Sequence, residues 1–347
     1  MRLLVVTQAF DLDDPLLGAY HGWVEALARE AESVEAVCLK EGRHALPGNV
    51  RVHSLGKERG GRSRLAYAIS FLLLCWRLRG RYDAAFVHMN QEYLLVAGPL
   101  WKLLGKPAYL WRNHYAGSPL TGLAALWCRA VFCTSRASYT ARYRKTEIMP
   151  VGVNLDRFGP TDAVHEPRSV LFLSRLTPSK RPELLLDALG LLAGRSVPFS
   201  ALLCGSPNEG DEAYAESVRA RAEALGLGGS VAFRPGIPNE EAPRLYASHE
   251  LFVNCSPSGM LDKTVFEAAA SGCLVLAESE DLRTFGLPDA TYAPGDAASL
   301  ADGIERLLAL PEEEKDALRE RLASLAGEHS LRGLAPALIS RMTRDAR

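Results

Sequence analysis

VLFLSRLTPSKRPELLLDAL, residues 170–189, sets out a strand, a loop and a helix in a single run. Residues 169–174, an apolar run bounded by Ser169 and Ser174, have the length and bulk of a strand buried on both faces. A polar loop carrying Arg175 and Lys180 follows. Leucines then recur at helical spacing over 181–193, with Pro182 in the first turn where a missing N–H costs nothing. Strand, loop and helix make half of a βαβ unit, and the same alternation continues in both directions. Downstream, strands are expected at 200–204, 230–233, 251–254, 274–277 and 291–293, with helices at 212–225, 240–247, 263–271, 298–310, 312–325 and 331–344. Upstream, strands are expected at 3–6, 35–39, 50–54, 84–88, 108–111, 130–133 and 147–149, and the principal helices at 17–30, 64–79 and 92–104. The fold class is therefore α/β, as two doubly wound Rossmann-like domains. The expected limits are 1–150, a turn-rich linker at 151–168, 169–330, and a C-terminal helix at 331–347 that packs back toward the N-terminal domain. Ligands of such folds bind outside the carboxyl ends of the strands, so two facing domains predict a cleft with a ligand held from each side.

The 347 residues are 48% hydrophobic and 23% charged, enough apolar material for two cores and without the bias of a disordered chain. Forty Lys and Arg balance 41 Asp and Glu, which excludes a general nucleic-acid binder on charge. The balance hides a split. Residues 1–150 carry 20 basic and 12 acidic side chains and all five Trp, whereas 151–347 carry 20 and 29. Seven scattered cysteines without a C-x-x-C pair predict buried, reduced thiols and a cytoplasmic protein. The N-terminus reads as a buried strand rather than a signal-peptide core. The apolar run 65–78 is shorter than the roughly 20 residues that cross a bilayer. Lys57, Arg59, Arg62 and Arg64 precede its stretch 65–76 and Arg77, Arg79 and Arg81 follow, so it suits either burial against a sheet or an anionic membrane surface.

After the first strand there is no G-x-G-x-x-G, which removes the main support for a nicotinamide cofactor. Gly18 reads either as a place where backbone approaches a ligand phosphate or as a plain helix-start turn. Arg175 and Lys180 stand between a strand and a helix N-terminus, where backbone N–H groups and the macrodipole already favour an anion; alone, they read equally as solvated surface cations. A second constellation, SPSGMLDKTVFEAAASG at 256–272, joins a Gly loop to a helix. Gly259, Met260, Asp262, Lys263 and Thr264 can present N–H groups to a phosphate there, and Glu267 lies in an apolar run where a carboxylate needs partners such as ribose hydroxyls.

Three segments, VGVNLDRF at 151–158, the run 170–189 and DKTVFEAAASG at 262–272, together resemble the group 1, family 4 retaining glycosyltransferases of GT-B fold. The resemblance covers essentially the whole chain and is strongest over 151–278. It implies that Arg175 and Lys180 hold a donor diphosphate, that Glu267 binds the nucleotide ribose, and that His88, at a strand's carboxyl end, is the active-site histidine. His114 would line the acceptor pocket. It further implies a UDP- or GDP-linked sugar donor, no other cofactor and no metal, and a glycan or lipid-linked acceptor met in the cytoplasm or at the inner membrane face. Three positions depart from the pattern: Gly259 replaces its first Glu, and Ser174 and Arg181 replace glycines. Backbone N–H groups around 259–263, or Asp262, are then expected to take over the first Glu's role. Two other readings stay open, a catalytically silent sugar-nucleotide-binding subunit and an epimerase or hydrolase on the same fold. His88 also reads as an ordinary histidine satisfying a loop carbonyl.

Overall fold

The computed structural model describes residues 1–14, 17–159 and 165–345; residues 160–164 of the expected linker and the last two of the C-terminal segment lie outside the described residues. The chain divides into two compact units, Met1–Gly152 with Leu331–Arg347, and Val153–Ser330.

Among the described residues, unit 1 is built on seven parallel strands: β1 (Arg2–Phe10), β2 (Ser33–Glu41), β3 (Val50–Ser54), β4 (Ala84–His88), β5 (Ala108–Trp111), β6 (Ala130–Cys133) and β7 (Thr146–Ile148). Their order is β3-β2-β1-β4-β5-β6-β7, so the direction of winding reverses between β1 and β4. The central strands are buried on both faces, which is why they read as unbroken apolar runs rather than alternating ones. Helix α1 (Gly18–Glu30) covers one face, while α2 (Arg64–Arg77), α3 (Glu92–Leu103) and α4 (Pro119–Leu126) cover the other.

Among the described residues, unit 2 has five parallel strands, β8 (Glu166–Leu173), β9 (Ser200–Cys204), β10 (Val231–Arg234), β11 (His249–Asn254) and β12 (Leu274–Ala277), ordered β10-β9-β8-β11-β12. Its helices are α5 (Pro182–Gly194), α6 (Glu212–Ala224), α7 (Ala242–Ala247), α8 (Lys263–Ala270), α9 (Glu280–Thr284), α10 (Ala297–Ala309) and α11 (Glu312–Glu328). α8 is buried all round from Val265 to Ala270, packed by β11, β12, α7 and α11. The strand expected at 291–293 is absent: Thr291 makes one isolated bridge to Ala277, and the Ala293 amide turns to the Ser299 hydroxyl at 2.9 Å instead of joining a ladder.

A last helix, α12 (Leu331–Asp345), belongs to unit 1. Leu331, Leu334, Ala335, Leu338, Ile339 and Met342 join the core beneath α1, and the Tyr109 hydroxyl meets the Asp345 carboxylate at 2.9 Å. Leu338 is fully buried, so Leu338→Ala should cost about 2–5 kcal/mol through the cavity left behind. In denaturant unfolding of the whole chain, that loss should fall on the transition of unit 1 and leave that of unit 2 in place.

Candidate functional site

In unit 2 the winding reverses between β8 and β11, and the loops leaving their carboxyl ends carry residues 174–181 and 255–262. The two loops meet at one carboxylate. Lys180 Nζ lies 2.5 Å from Asp262 Oδ2 and donates to Ser256 Oγ at 3.1 Å, while Asn254 Nδ2 donates to the same Asp262 oxygen at 3.0 Å and the Ser256 hydroxyl donates to it as well. Burial alone would raise the Asp262 pKa, but the Lys180 ammonium and the bonds from Ser256 and Asn254 hold it below the usual carboxylate range. Lys180 is thus a buried member of an ion pair, its side chain 8% exposed, and not the solvated surface cation that its loop position also allowed. The other two cations of this loop have separate partners. Arg175 Nη1 donates to Asn208 Oδ1 at 3.1 Å; Arg181 binds Glu278 Oε2 at 2.5 Å and donates to the Cys255 carbonyl at 2.8 Å.

Asp262 is the N-cap of α8, yet its side chain makes no capping bond, because it is turned to Lys180. The first-turn amides of Lys263 and Thr264 therefore have no capping side chain, which leaves the positive end of the helix open toward the loop. One turn on, Glu267 is buried; Lys263 Nζ balances its Oε1 at 3.0 Å, and the Tyr246 hydroxyl makes a long 3.5 Å contact to Oε2. Asn254, Ser256 and Glu278 escape motif reading, although polar residues capping an apolar strand beside a Gly loop were a usable signal for the first two.

In unit 1, His88 ends β4 at the reversal between β1 and β4, and the register Val6 to Val87 sets it beside Thr7. The Tyr20 ring stacks on the His88 imidazole with centroids 3.8 Å apart and planes within 15°. His88 Nδ1, Tyr20 OH, Thr7 Oγ1, Gln91 Oε1 and Thr134 Oγ1 are all buried without a hydrogen-bond partner. Native proteins leave few such atoms; Thr7 and His88 end neighbouring strands and Tyr20 stacks on His88, so these three stand together at a place where ligand hydroxyls would satisfy them. Burial pushes the His88 pKa down to about 3, so the ring is neutral, with one nitrogen to donate and one to accept. His114 Nδ1 instead accepts from the Ala116 amide at 2.9 Å and closes its own loop. Gly18 is likewise explained locally: its amide donates to the Asp14 carbonyl at 2.9 Å, and a Cβ there would meet the Leu12 carbonyl oxygen at 2.7 Å.

Residues 157–323, nearly all of unit 2, match the family of glycosyl transferases group 1. Unit 2 is a group 1 glycosyl transferase domain. Among curated proteins, the D-inositol 3-phosphate glycosyltransferase of Streptomyces avermitilis is 30% identical over 179 residues, which cover 48% of this chain and 38% of that protein. The GDP-mannose-dependent alpha-(1-6)-phosphatidylinositol monomannoside mannosyltransferase of Mycolicibacterium smegmatis is 34% identical over 178 residues, 46% of this chain and 44% of that one. The aligned stretch spans less than half of either relative. The crystal structure of Anabaena Alr3699/HepE in complex with UDP and glucose matches with a TM-score of 0.78 over 99% of both chains at 18% identity, which shows a shared fold, GT-B.

Within this group 1 domain the departures from the pattern acquire a geometry. Arg181 stands where the pattern has glycine and adopts φ +48°, a left-handed conformation that an L side chain holds only under strain; its bonds to Glu278 and the Cys255 carbonyl hold it there. Leu261, next to Asp262, has φ +32°, and in unit 1 Met89, next to His88, has φ +64°. Each of Lys180, Asp262 and His88 is thus followed or preceded by a strained residue, the kind of distortion that folds tolerate where a side chain must be aimed. At Gly205, which begins the loop after β9, a Cβ would stand 1.8 Å from the Ser174 carbonyl oxygen, so only glycine permits this approach to the 174–181 loop. No carboxylate stands at Gly259, and Asp262 is already engaged by three donors.

Proposed function

We propose that the chain is a sugar-nucleotide-dependent glycosyltransferase of family 4, which moves a sugar from a UDP- or GDP-linked donor to a hydroxyl of a glycan or lipid-linked acceptor with retention of anomeric configuration. The observation that carries this reading is the convergence of Lys180, Asp262 and the open start of α8 at the reversal point of a group 1 domain, with Glu267 one turn further on. Lys180 has three N–H donors. Two are spent on Asp262 and Ser256, and the third serves a diphosphate oxygen, with Asp262 acting as a positioning residue. Arg175 and the Lys263 and Thr264 amides add charge stabilisation as negative charge builds on the leaving diphosphate, more in the transition state than before it. Glu267 accepts the ribose hydroxyls. The backbone around Gly259 replaces the pattern's first carboxylate toward the donor sugar. Charge compensation by these residues makes a metal unnecessary to the reading. The acceptor hydroxyl attacks on the face that the diphosphate leaves, the bond from sugar to diphosphate oxygen breaks, and the departing phosphate takes the proton. His88 donates to a sugar hydroxyl. We place the reaction in the cytoplasm, at the inner membrane face, in glycan, glycolipid or polysaccharide synthesis.

The test is incubation with UDP-glucose and with GDP-mannose in the presence of phosphatidylinositol vesicles or an alkyl glucoside. Mass spectrometry reads transfer, and NMR reads the configuration of the new bond. Donor consumed at the same rate without acceptor would favour a hydrolase or epimerase, and donor bound but never consumed would favour a silent binding subunit.

His88→Ala should abolish most transfer while leaving the affinity for nucleoside diphosphate unchanged, since unit 2 holds the nucleotide in this reading. Its depressed pKa also sets a pH dependence. A histidine neutral when folded and titrating near about 6.5 when unfolded contributes stability in full above that pH and loses it as the pH falls toward about 3. Wild-type kcat should therefore show no inflection near pH 6.5 from this residue, whereas the acid arm of the stability curve should be shallower in the His88→Ala variant. Normal transfer kinetics in that variant would return His88 to a structural role.

A further inference from the structure

The layer formed by α2, α3 and α4 turns one side to the sheet and the other to solvent. α2 buries Phe71 and Cys75 and presents Leu65, Ile69, Leu73 and Trp76 along the opposite stripe, Leu65 being 69% exposed. α3 packs between α2 and α4, burying Leu94, Ala97 and Trp101 and leaving Leu103 81% exposed. α4 buries Ala124 and Ala125 and exposes Leu120, Leu123 and Leu126. All three helices cover the same core, so they turn their exposed leucines to the same outer side of unit 1, more large apolar side chains than soluble chains usually leave open on one layer.

The charge around this surface selects its occupant. Residues 59–146 carry 14 basic side chains and two acidic ones, Asp83 and Glu92; Asp83 is paired with Arg2, and of the basic ones Arg59 is paired with Glu58 and Arg129 with Asp345. Among the described residues, Arg62, Arg64, Arg77, Arg79 and Arg81, at the two ends of α2, form no ion pair. Arg62 donates to the Ser70 hydroxyl, and the Arg79 guanidinium lies over the Trp76 ring at 4.3 Å, an arrangement that buries the stem and keeps the charge outward. A second copy of the chain would bring the same cations face to face, and like charges opposed across an interface repel. An anionic bilayer offers what the surface lacks, negative charge for the arginines and hydrocarbon for the leucines and Trp76. Among the described residues no helix is long and apolar enough to cross a membrane, so the contact is peripheral.

We propose that the outer surface of α2, α3 and α4 docks unit 1 on an anionic lipid bilayer, α2 lying in the plane of the headgroups. This deepens the reading of a lipid-linked acceptor, on which its purpose rests, while the docking itself is measurable apart from transfer. The experiment is co-sedimentation of the full chain with vesicles of phosphatidylglycerol mixed with phosphatidylcholine, and of phosphatidylcholine alone, at low and high salt. The wild type should bind the anionic vesicles at low salt and bind at least about tenfold more weakly at high salt or without phosphatidylglycerol. Ile69→Asp with Leu73→Asp, and separately Arg77→Glu with Arg79→Glu, should each lose binding by a similar factor, with circular dichroism and an unshifted unit 1 unfolding transition as the check that the chain is folded. Protein remaining in the supernatant with anionic vesicles at low salt would overturn the proposal, as would undiminished binding by both variants. Concentration-dependent self-association that Ile69→Asp with Leu73→Asp abolishes, without vesicle binding by the wild type, would make the surface a contact between copies instead. Vesicle binding without transfer would leave docking standing and count against the glycosyltransferase reading alone.

Discussion

Lys180→Ala should lower transfer by about 100- to 1,000-fold, the usual loss when one donor to developing transition-state charge is removed. It should also destabilise unit 2 by about 3–5 kcal/mol, because Asp262 would then be a buried carboxylate without its cation. The two losses separate with pH and with a second substitution. In the wild type the Asp262 pKa is depressed, so the pair's contribution is complete above the unfolded carboxylate value of about 3.9 and is lost as the pH falls through the folded value. Without Lys180 the same carboxyl is pushed upward by burial, so the variant's deficit should be large at neutral pH and shrink in acid. Adding Asp262→Asn to Lys180→Ala removes the stranded charge and should recover most of the stability but none of the turnover. Denaturant midpoints and kcat, measured on the single and double variants, check both halves. Full turnover in Lys180→Ala would place the diphosphate elsewhere.

Glu267→Ala should weaken nucleoside diphosphate binding by about ten- to a hundredfold, the equivalent of roughly 1.5–3 kcal/mol for charge-assisted bonds to ribose hydroxyls. The effect on folding should be smaller, since the partner left behind, Lys263, is a quarter exposed and can turn to water. Glu267→Gln keeps one acceptor oxygen and should fall between the two. Unchanged affinity in Glu267→Ala, measured by calorimetry with UDP and with GDP, would sink the ribose assignment.

The residues at 170–189 and 256–272 made strand, loop and helix legible because each signal is local: an apolar run, a Gly or Pro punctuation, leucines at helical spacing. What joins the two loops is not local. Lys180 and Asp262 are 82 positions apart and Arg181 and Glu278 are 97 apart, and they meet only because β8 pairs with β11 and β11 with β12. No spacing in the chain encodes that neighbourhood. The extra strand expected at 291–293 failed for a related reason: local apolar character cannot show that a Ser hydroxyl takes the amide a ladder would need. The run at 65–78 is apolar on nearly every side, so sequence alone favoured burial of its apolar face but left membrane contact open, and only the packing shows which residues face inward. At His88 the strand end was legible, while the stacked Tyr20 and the unpartnered Thr7 hydroxyl beside it, drawn from α1 and β1, were not.

Calorimetric titration of the full chain with UDP and GDP, alongside the Glu267→Ala variant, tests the sugar-nucleotide site most directly. One of the two nucleotides should bind the wild type at a single site, with at least about tenfold weaker binding by the variant. Absence of heat with both nucleotides, and with UDP-glucose and GDP-mannose, would contradict the assignment of this domain as the donor site.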